Sequence, residues 1–386
     1  MAATKRKRHG VKAAVAVAVV LILVLLLLTP AVQSFLMDLI SSPFQRRYPA
    51  SATFTLERAL TVDANGGEII GYDFDICEPS TVSQNGYVMQ EVTSITYDPQ
   101  LSFREVRYGH SWVGWNGTSI SGEMTRTSTV TYQVIAYTHI WNIDREGSLG
   151  ASAVPSSLQD MYLHDEWGLR DDNGNVVGWM IDTSSPAIVA ASGEIVGNET
   201  NVYQVLKDIY DWMTANVRYA TDASGGVPQT AVETLQRRAG DCDDQSILFC
   251  SLARAAGVPA WLQMGALYIS TDNAWGGHGW LQAYIPLASG GGENVTIDVV
   301  NKDFLVFRPN RFIEFTDDGS GDHLEDYYYP FFTTFDRSTY QGGAAPEFSE
   351  AYERLSYEES SKKVSSGGVY STEIRTACTG RAPLRR

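Results

Sequence analysis

The chain has 386 residues, 44% apolar and 19% charged, which excludes an intrinsically disordered protein and predicts two domains plus tails. Its formal net charge is -16 although Lys5, Arg6, Lys7, Arg8 and Lys12 crowd the N-terminus, so the remainder is more acidic still. Such a surface repels phosphate backbones and argues against nucleic acid as a partner; it suits solubility in salt and a cationic substrate equally.

The first elements follow from charge and hydropathy. After a basic tail, 1–12, residues 13–32 form a run without a charge. As a helix that run is long enough to cross a bilayer. The basic tail ahead of it places the N-terminus in the cytoplasm and the bulk of the chain outside. A cleaved signal peptide is the rival reading, but its apolar region is usually shorter and Ala31-Val32-Gln33 is a poor cleavage site. A single-pass anchor in the cell membrane is therefore expected, with a linker at 33–50.

Residues 51–192 read as a β-rich, sandwich-like domain. Phe54 to Arg58 and Glu91 to Tyr97 alternate, and Thr129 to Tyr137 is a further strand. Asn65-Gly66-Gly67, Asn85-Gly86 and Asn116-Gly117 read as turns, and Asp172 to Asn175 turns another hairpin. Calcium binding at Asp171 to Asn175 lacks EF-hand spacing.

The pattern changes over 193–310. Helices are expected at Asn201 to Val217, Thr230 to Arg238 and about Cys242 to Ala256, the last stopped by Gly257 and Pro259. Strands follow at Ala260 to Ser270, Gly279 to Ile285 and Val295 to Val300. The fold class is thus α+β: helices, then an antiparallel sheet. Residues 311–359 form an acidic Tyr-rich extension, too aromatic for a linker, and 360–386 a flexible tail. Of four cysteines, Cys77 and Cys378 are the pair away from the site proposed below, and an extracytoplasmic location permits a bridge between them. Asn116, Asn198 and Asn294 open glycosylation sequons.

The strongest chemical signal is Gly240-Asp241-Cys242-Asp243-Asp244. Gly240 permits a sharp turn, and Asp241 with Asp244 has capping-box spacing. Cys242 then falls in the first turn of a helix, where the dipole favours a thiolate. The three aspartates oppose that effect, so a cation is needed, and an imidazolium is the usual one. His278 lies in the glycine-rich run Trp275 to Trp280, before an alternating strand. Asp298, in the apolar strand Thr296 to Val300, is a carboxylate that needs a partner, and orienting an imidazole supplies one. Asp303 and Asn301 are alternatives for that role. Cys250, between Phe249 and Leu252, reads as a packing residue.

These stretches, with Glu233-Thr234-Leu235, Leu252 to Ala260, His278-Gly279-Trp280, Tyr284 and Asp298, resemble the transglutaminase-like superfamily, most closely its microbial branch. The resemblance covers about 200–304. It implies a papain/transglutaminase-like core, helices packed on an antiparallel sheet, behind an upstream β-domain. It also implies that Cys242 attacks a peptide or carboxamide carbonyl, His278 shuttles the proton and Asp298 orients it. The sequence departs from the family at Gly279, often Ala, and at Val299, usually Pro. The Cys242 N–H is an expected oxyanion donor; Tyr219 or Trp212 would supply a side-chain donor. No cofactor and no metal are expected: no His-Glu-x-x-His, paired zinc spacing or Gly-x-Ser-x-Gly occurs. Asp317 to His323 reads as an acidic surface loop. The expected activity is acyl transfer on a protein or peptide substrate, with hydrolysis favoured over cross-linking. The contrasting expectation is a catalytically silent surface-binding or scaffold protein.

Overall fold

A computed structural model of the chain describes Thr29 and residues 46–221, 228–335, 345–366 and 375–376. The first half gives β1 (Arg46–Pro49), β2 (Ser51–Asp63), β3 (Glu68–Glu78), β4 (Val82–Gln84), β5 (Tyr87–Asp98), β6 (Phe103–Arg107), β7 (His110–Ser121), β8 (Thr125–Tyr137) and β9 (His139–Asn142). Next come α1 (Ser156–Tyr162), β10 (Glu166–Arg170), β11 (Val176–Ile181), α2 (Pro186–Val196), α3 (Val202–Asn216), β12 (Arg218–Tyr219), α4 (Ala231–Arg237), β13 (Ala239–Gly240) and α5 (Cys242–Ala255). The chain continues through β14 (Ala260–Ile269), β15 (Ala274–Pro286), β16 (Gly292–Asp298), β17 (Asp303–Phe304), β18 (Val306–Phe307) and β19 (Arg311–Thr316). It ends with α6 (Gly321–Tyr328), β20 (Phe331–Phe335), β21 (Glu347–Glu359), β22 (Lys363–Ser366) and β23 (Arg375–Thr376). Among the described residues, 48–364 with Arg375 and Thr376 fall in one compact unit; Thr29, Arg46, Arg47, Ser365 and Ser366 fall in a second. No helix among them is long and apolar enough to cross a membrane, and the predicted anchor lies outside the described residues apart from Thr29.

Two antiparallel sheets, in the orders β21-β2-β8-β5-β4 and β20-β3-β7-β6, share one core. The alternation predicted for β2 is met on its inner face by Ala52, Phe54, Leu56, Leu60 and Val62, all buried against Phe74, Val113, Trp115 and Tyr132. Two of the expected Asn-Gly turns occur, with Asn65 and Gly66 at φ 48° and 81° and Asn85 and Gly86 at φ 48° and 83°. Asn116-Gly117 does not turn. It lies within β7, where Gly117 pairs with Tyr72 and a Cβ would come within 2.3 Å of the Tyr72 ring. Here the glycine makes room for an aromatic neighbour, and tertiary packing overrides local turn preference. The Tyr-rich residues 311–359 supply strands to three sheets: β19, β20 and β21. Within the expected tail, β22 and β23 are strands and the rest beyond Ser366 lies outside the described residues.

The mixed region centres on an antiparallel sheet in the order β17-β16-β15-β14-β19, with α5 packed across β14 and β15. Helix starts follow the sequence: the Asn201 side chain caps α3 by accepting from the Gln204 N–H at 3.2 Å, and Thr230 with Glu233 forms a capping box on α4. Gly257, at φ 80°, ends the α5 segment. Helix α2 spans 186–196 and so runs across the boundary placed at 192/193. The two regions are bonded edge to face. Ala266, Tyr268, Trp275 and Phe312 of the mixed sheet enter the β-rich core. Gln90 of β5 both donates to the Ile313 carbonyl (2.9 Å) and accepts from its N–H (2.7 Å). That side chain imitates a strand neighbour and satisfies edge strand β19, which contributes about 1 kcal/mol per bond.

Candidate active site

The start of α5 is fixed by a buried carboxylate. Asp244 accepts from the Gln229 N–H (2.6 Å), the Gln229 side-chain amide (2.5 Å) and the Asp241 N–H (3.0 Å). Three N–H donors offset the cost of burying that charge. The approach is so close that a Cβ on Gly240 would lie 2.5 Å from the Asp244 Cβ. The Asp241–Asp244 bond is the return half of a capping box. Parallel pairing of Tyr219 with Gly240 holds the preceding residues, so Cys242 opens the helix at its positive end.

Cys242 is half-buried in a cleft of about 350 Å³ that is also lined by Asp241, Asp243, Met264, Gly277, His278, Tyr328 and Arg58. Burial pushes its thiol pKa up, and the charges of Asp243 and Asp241 add to that; a contact with the Gly279 N–H works the other way. The helix dipole alone therefore does not hold a thiolate here.

His278 stands on β15, buried, with its ring stacked on Trp280 at 5.7 Å. Its Nε2 lies 2.8 Å from Asp298 Oδ2 at the end of β16. An imidazole that donates from Nε2 keeps Nδ1 as its acceptor. Asp298 is held from several sides: its Oδ1 accepts the Asn301 N–H (3.0 Å), and its Oδ2 the Asn301 amide (2.9 Å) and Arg311 Nη2 (2.6 Å). Burial works to raise the Asp298 carboxyl, but His278 and Arg311 outweigh it and hold it well below the usual carboxylate range. Arg311 also reaches Asp303 at 2.8 Å, and Arg308 Nε reaches Asp303 at 2.6 Å.

The structure thus brings Cys242 and His278 to one cleft and hydrogen-bonds His278 to Asp298. Of the alternative orienters, Asp303 serves the two arginines, while Asn301 braces Asp298. Tyr219 is about half exposed beside Gly240, and the Cys242 charge is among the causes that raise its phenol, after burial. Trp212 lies against the Arg238 guanidinium at 4.4 Å and does not line the cleft. Cys250 is fully buried on α5. Cys77 is a free, buried thiol whose Sγ donates to the Glu314 carbonyl at 3.2 Å; Cys378 lies outside the described residues. Asn116 and Asn198 are exposed and Asn294 half-buried. Asp171 binds its own loop, accepting from the Asn173 and Asn175 N–H groups at 2.9 Å each. Arg311 was not foreseen. Its one trace in sequence is a charge at an inward position of the strand Arg311 to Phe315.

With this geometry in view, the comparisons are informative. Residues 189–295 match the model of the Transglutaminase-like superfamily. The chain carries a transglutaminase-like domain. A crystal structure of a protein from Cytophaga hutchinsonii, provisionally named a cysteine protease, is 15% identical and covers 85% of this chain and 94% of its own, with a TM-score of 0.51. At that identity the likeness concerns the fold, and its reach takes in the β-rich region as well as the transglutaminase-like domain. The periplasmic domain of TgpA from Pseudomonas aeruginosa is 14% identical over 65% of this chain and 87% of its own, with a TM-score of 0.29. A comparison with curated proteins finds no match.

Proposed function

We propose that the protein is a cysteine acyl-transfer enzyme acting on peptide or glutamine carboxamide bonds, with Cys242 as nucleophile, His278 as acid and base, and Asp298 as the residue that orients His278. The observation that carries this reading is the His278–Asp298 bond of 2.8 Å, braced by Arg311, behind a cleft that holds Cys242. Because the thiol is pushed up, it needs a base at the moment of attack. His278 Nδ1 takes the thiol proton as sulfur adds to the carbonyl carbon. The Cys242 N–H at the helix start faces the oxyanion. The intermediate collapses with His278 returning the proton to the leaving amine. Water then attacks the thioester, gives its proton to His278, and the thiol is restored as the acid product departs.

Hydrolysis is favoured over cross-linking because water needs no acceptor site of its own, whereas transfer requires a second substrate site that also excludes water. The uncharged run 13–32 supports an anchor in the cell membrane, with the catalytic region outside. A silent binding or scaffold protein is the second reading, and the raised thiol is the observation in its favour.

The deciding experiment alkylates the full-length chain with iodoacetamide across pH and locates the modified cysteine by mass spectrometry. The enzyme reading expects Cys242 to be modified, with a rate at neutral pH that drops at least ~10-fold in His278→Ala. An inert Cys242, or equal rates in both proteins, leaves the scaffold reading.

A further inference from the structure

The side of β15 that faces the β-rich region is packed at Trp275 and open at Gly277. Trp275 lies against Phe54 and Tyr357, ring to ring at 4.6 and 6.1 Å. Two residues on, and by strand alternation on the same side, a Cβ on Gly277 would meet nothing within 4 Å. Gly277 lines the cleft together with Cys242 and His278. Its φ is not positive, so neither backbone conformation nor crowding calls for glycine there. Two other glycines of the cleft are explained by packing: a Cβ on Gly265 would fall 1.9 Å from the Phe312 carbonyl oxygen, and one on Gly279 3.2 Å from Met264. Glycine weakens a strand, and one that the fold does not need marks a place where something else comes close.

Gly277 alone shows only room. Arg58, in the part of the wall that β2 supplies, shows what the room is for. Its side chain is 3% exposed and lines the same cleft. Nε donates to Glu350 (2.6 Å) and Nη1 to Glu314 (3.3 Å). Among the described residues nothing accepts from Nη2, and that nitrogen is not closed off from solvent. The open remnant of a buried guanidinium in a cleft wall is a donor directed at whatever fills the cleft. An anion there would meet like charge from Glu350, Asp241 and Asp243, which also line the cleft. A neutral carbonyl oxygen meets no such repulsion and accepts the bond. We propose that the protein takes an extended polypeptide as its acyl substrate, whose main chain passes over Gly277 and sets a carbonyl oxygen on Arg58 Nη2. This rests on Cys242 being the nucleophile, because only then does the passage lead from the reacting carbonyl. A short amide that ends at the reacting carbonyl lacks the group that Arg58 holds.

The test alkylates Cys242 of the full-length chain with reagents that share a reactive group and differ in what extends from it, the site being read by mass spectrometry. Chloroacetamide is compared with chloroacetyl-triglycine amide and with N-octyl chloroacetamide. Chloroacetone is compared with acetyl-triglycine chloromethyl ketone, which extends on the other side of the reacting carbon. At least one triglycine reagent should label Cys242 at least ~10-fold faster than its short counterpart, the gain that a hydrogen bond to a charged group supports. The octyl chain, which has no carbonyl beyond the first, should show no such gain. The gain should fall below ~3-fold in Gly277→Val, which fills the passage, and in Arg58→Lys, which keeps the cation and removes Nη2. If neither triglycine reagent gains, if the octyl reagent gains as much, or if the gain persists in either variant, the polypeptide seat is overturned and the nucleophile stands. The wild-type rates decide this even where a variant does not fold. If neither short reagent labels Cys242, the nucleophile reading falls and this inference with it.

Discussion

Two buried arginines, each set between two carboxylates, support different parts of the cleft, and they behave in opposite ways. Behind His278, Arg311 lies 2.6 Å from Asp298 and 2.8 Å from Asp303. In the wall supplied by β2, Arg58 lies 3.3 Å from Glu314 and 2.6 Å from Glu350. Asp298 is held well below its ordinary range; Glu314 is raised, by burial first and by the charge of Glu350. The difference lies in the partners. Asp298 has an imidazole and a guanidinium at short range together with two donors from Asn301. Glu314 has a longer arginine contact and two neutral donors, the hydroxyls of Tyr327 (2.9 Å) and Tyr352 (3.0 Å). An arginine between two carboxylates thus holds a firm anion in one place, suited to orienting an imidazolium, and in the other a carboxyl that burial shifts toward its neutral form. Burial alone would have raised both.

The largest effect that would sharpen this contrast comes from removing each arginine. Arg311→Met leaves Asp298 and Asp303 buried around a lost charge and is expected to cost about 3–5 kcal/mol in urea denaturation at pH 7. Arg58→Met should cost less, about 1–3 kcal/mol, because Glu314 keeps its two tyrosine donors and Glu350 reaches solvent. Equal losses would mean that the two clusters differ in geometry but not in function. Arg311→Met should also lower kcat, since His278 loses a fixed partner, whereas its effect on KM should be small.

The same contrast separates what the sequence discloses from what it hides. Cys242, His278 and Asp298 each carry a local marker: a helix start after Gly240, a glycine-rich approach to a strand, a carboxylate among β-branched residues. Those markers single out Cys242 and His278 and leave Asp298 beside Asp303 and Asn301; the family resemblance favours Asp298, and the fold sets Cys242 and His278 in one cleft with Asp298 bonded to His278. The helix at 202–216 was legible because its apolar residues recur at helical spacing, and that at 242–255 because cap spacing opens it and Gly257 and Pro259 close it. Arg58 and its partners were not legible. Arg58 meets Glu314 and Glu350 across 256 and 292 positions of chain, and no local pattern encodes such pairings. Asn116-Gly117 misled for the same reason, because the Tyr72 ring that decides it lies on another strand. Residues 311–359 read as an extension because they are acidic and Tyr-rich and β21 shows little buried alternation; they contribute β19, which carries Arg311, and β21, which carries Glu350 and Tyr352 to the cleft.

A second prediction, smaller in effect, concerns the anion beside the sulfur. Asp243→Asn removes a negative charge that helps raise the Cys242 thiol. More thiolate at a given pH should speed iodoacetamide alkylation about 3- to 10-fold, since one pKa unit is a factor of ten. The variant also keeps a side chain that can meet the Tyr328 hydroxyl. An unchanged rate would assign the raised thiol to burial alone and weaken the case that the aspartates govern this end of the cleft.

The smallest effect sets Asp241 against Asp298 in one pH series of melting temperatures. Asp241 is raised to about 8, chiefly by burial and then by Asp243, so the folded state binds its proton more tightly than the unfolded chain does. Its contribution is fully present below about pH 4 and is lost as pH rises through about 8. Asp241→Asn cannot ionise, so its advantage over wild type should grow from pH 5 to pH 9, by no more than about 2–4 °C because the group is half exposed. Asp298 has the opposite sign. Its folded value is depressed, so its contribution is present above about pH 4 and lost as pH falls further. Asp298→Asn should therefore cost most at neutral pH and progressively less in acid. The two curves should diverge in opposite directions from wild type. If they run parallel, the site does not keep one carboxylate charged and its neighbour protonated, and His278 would have to act without a fixed anion behind it.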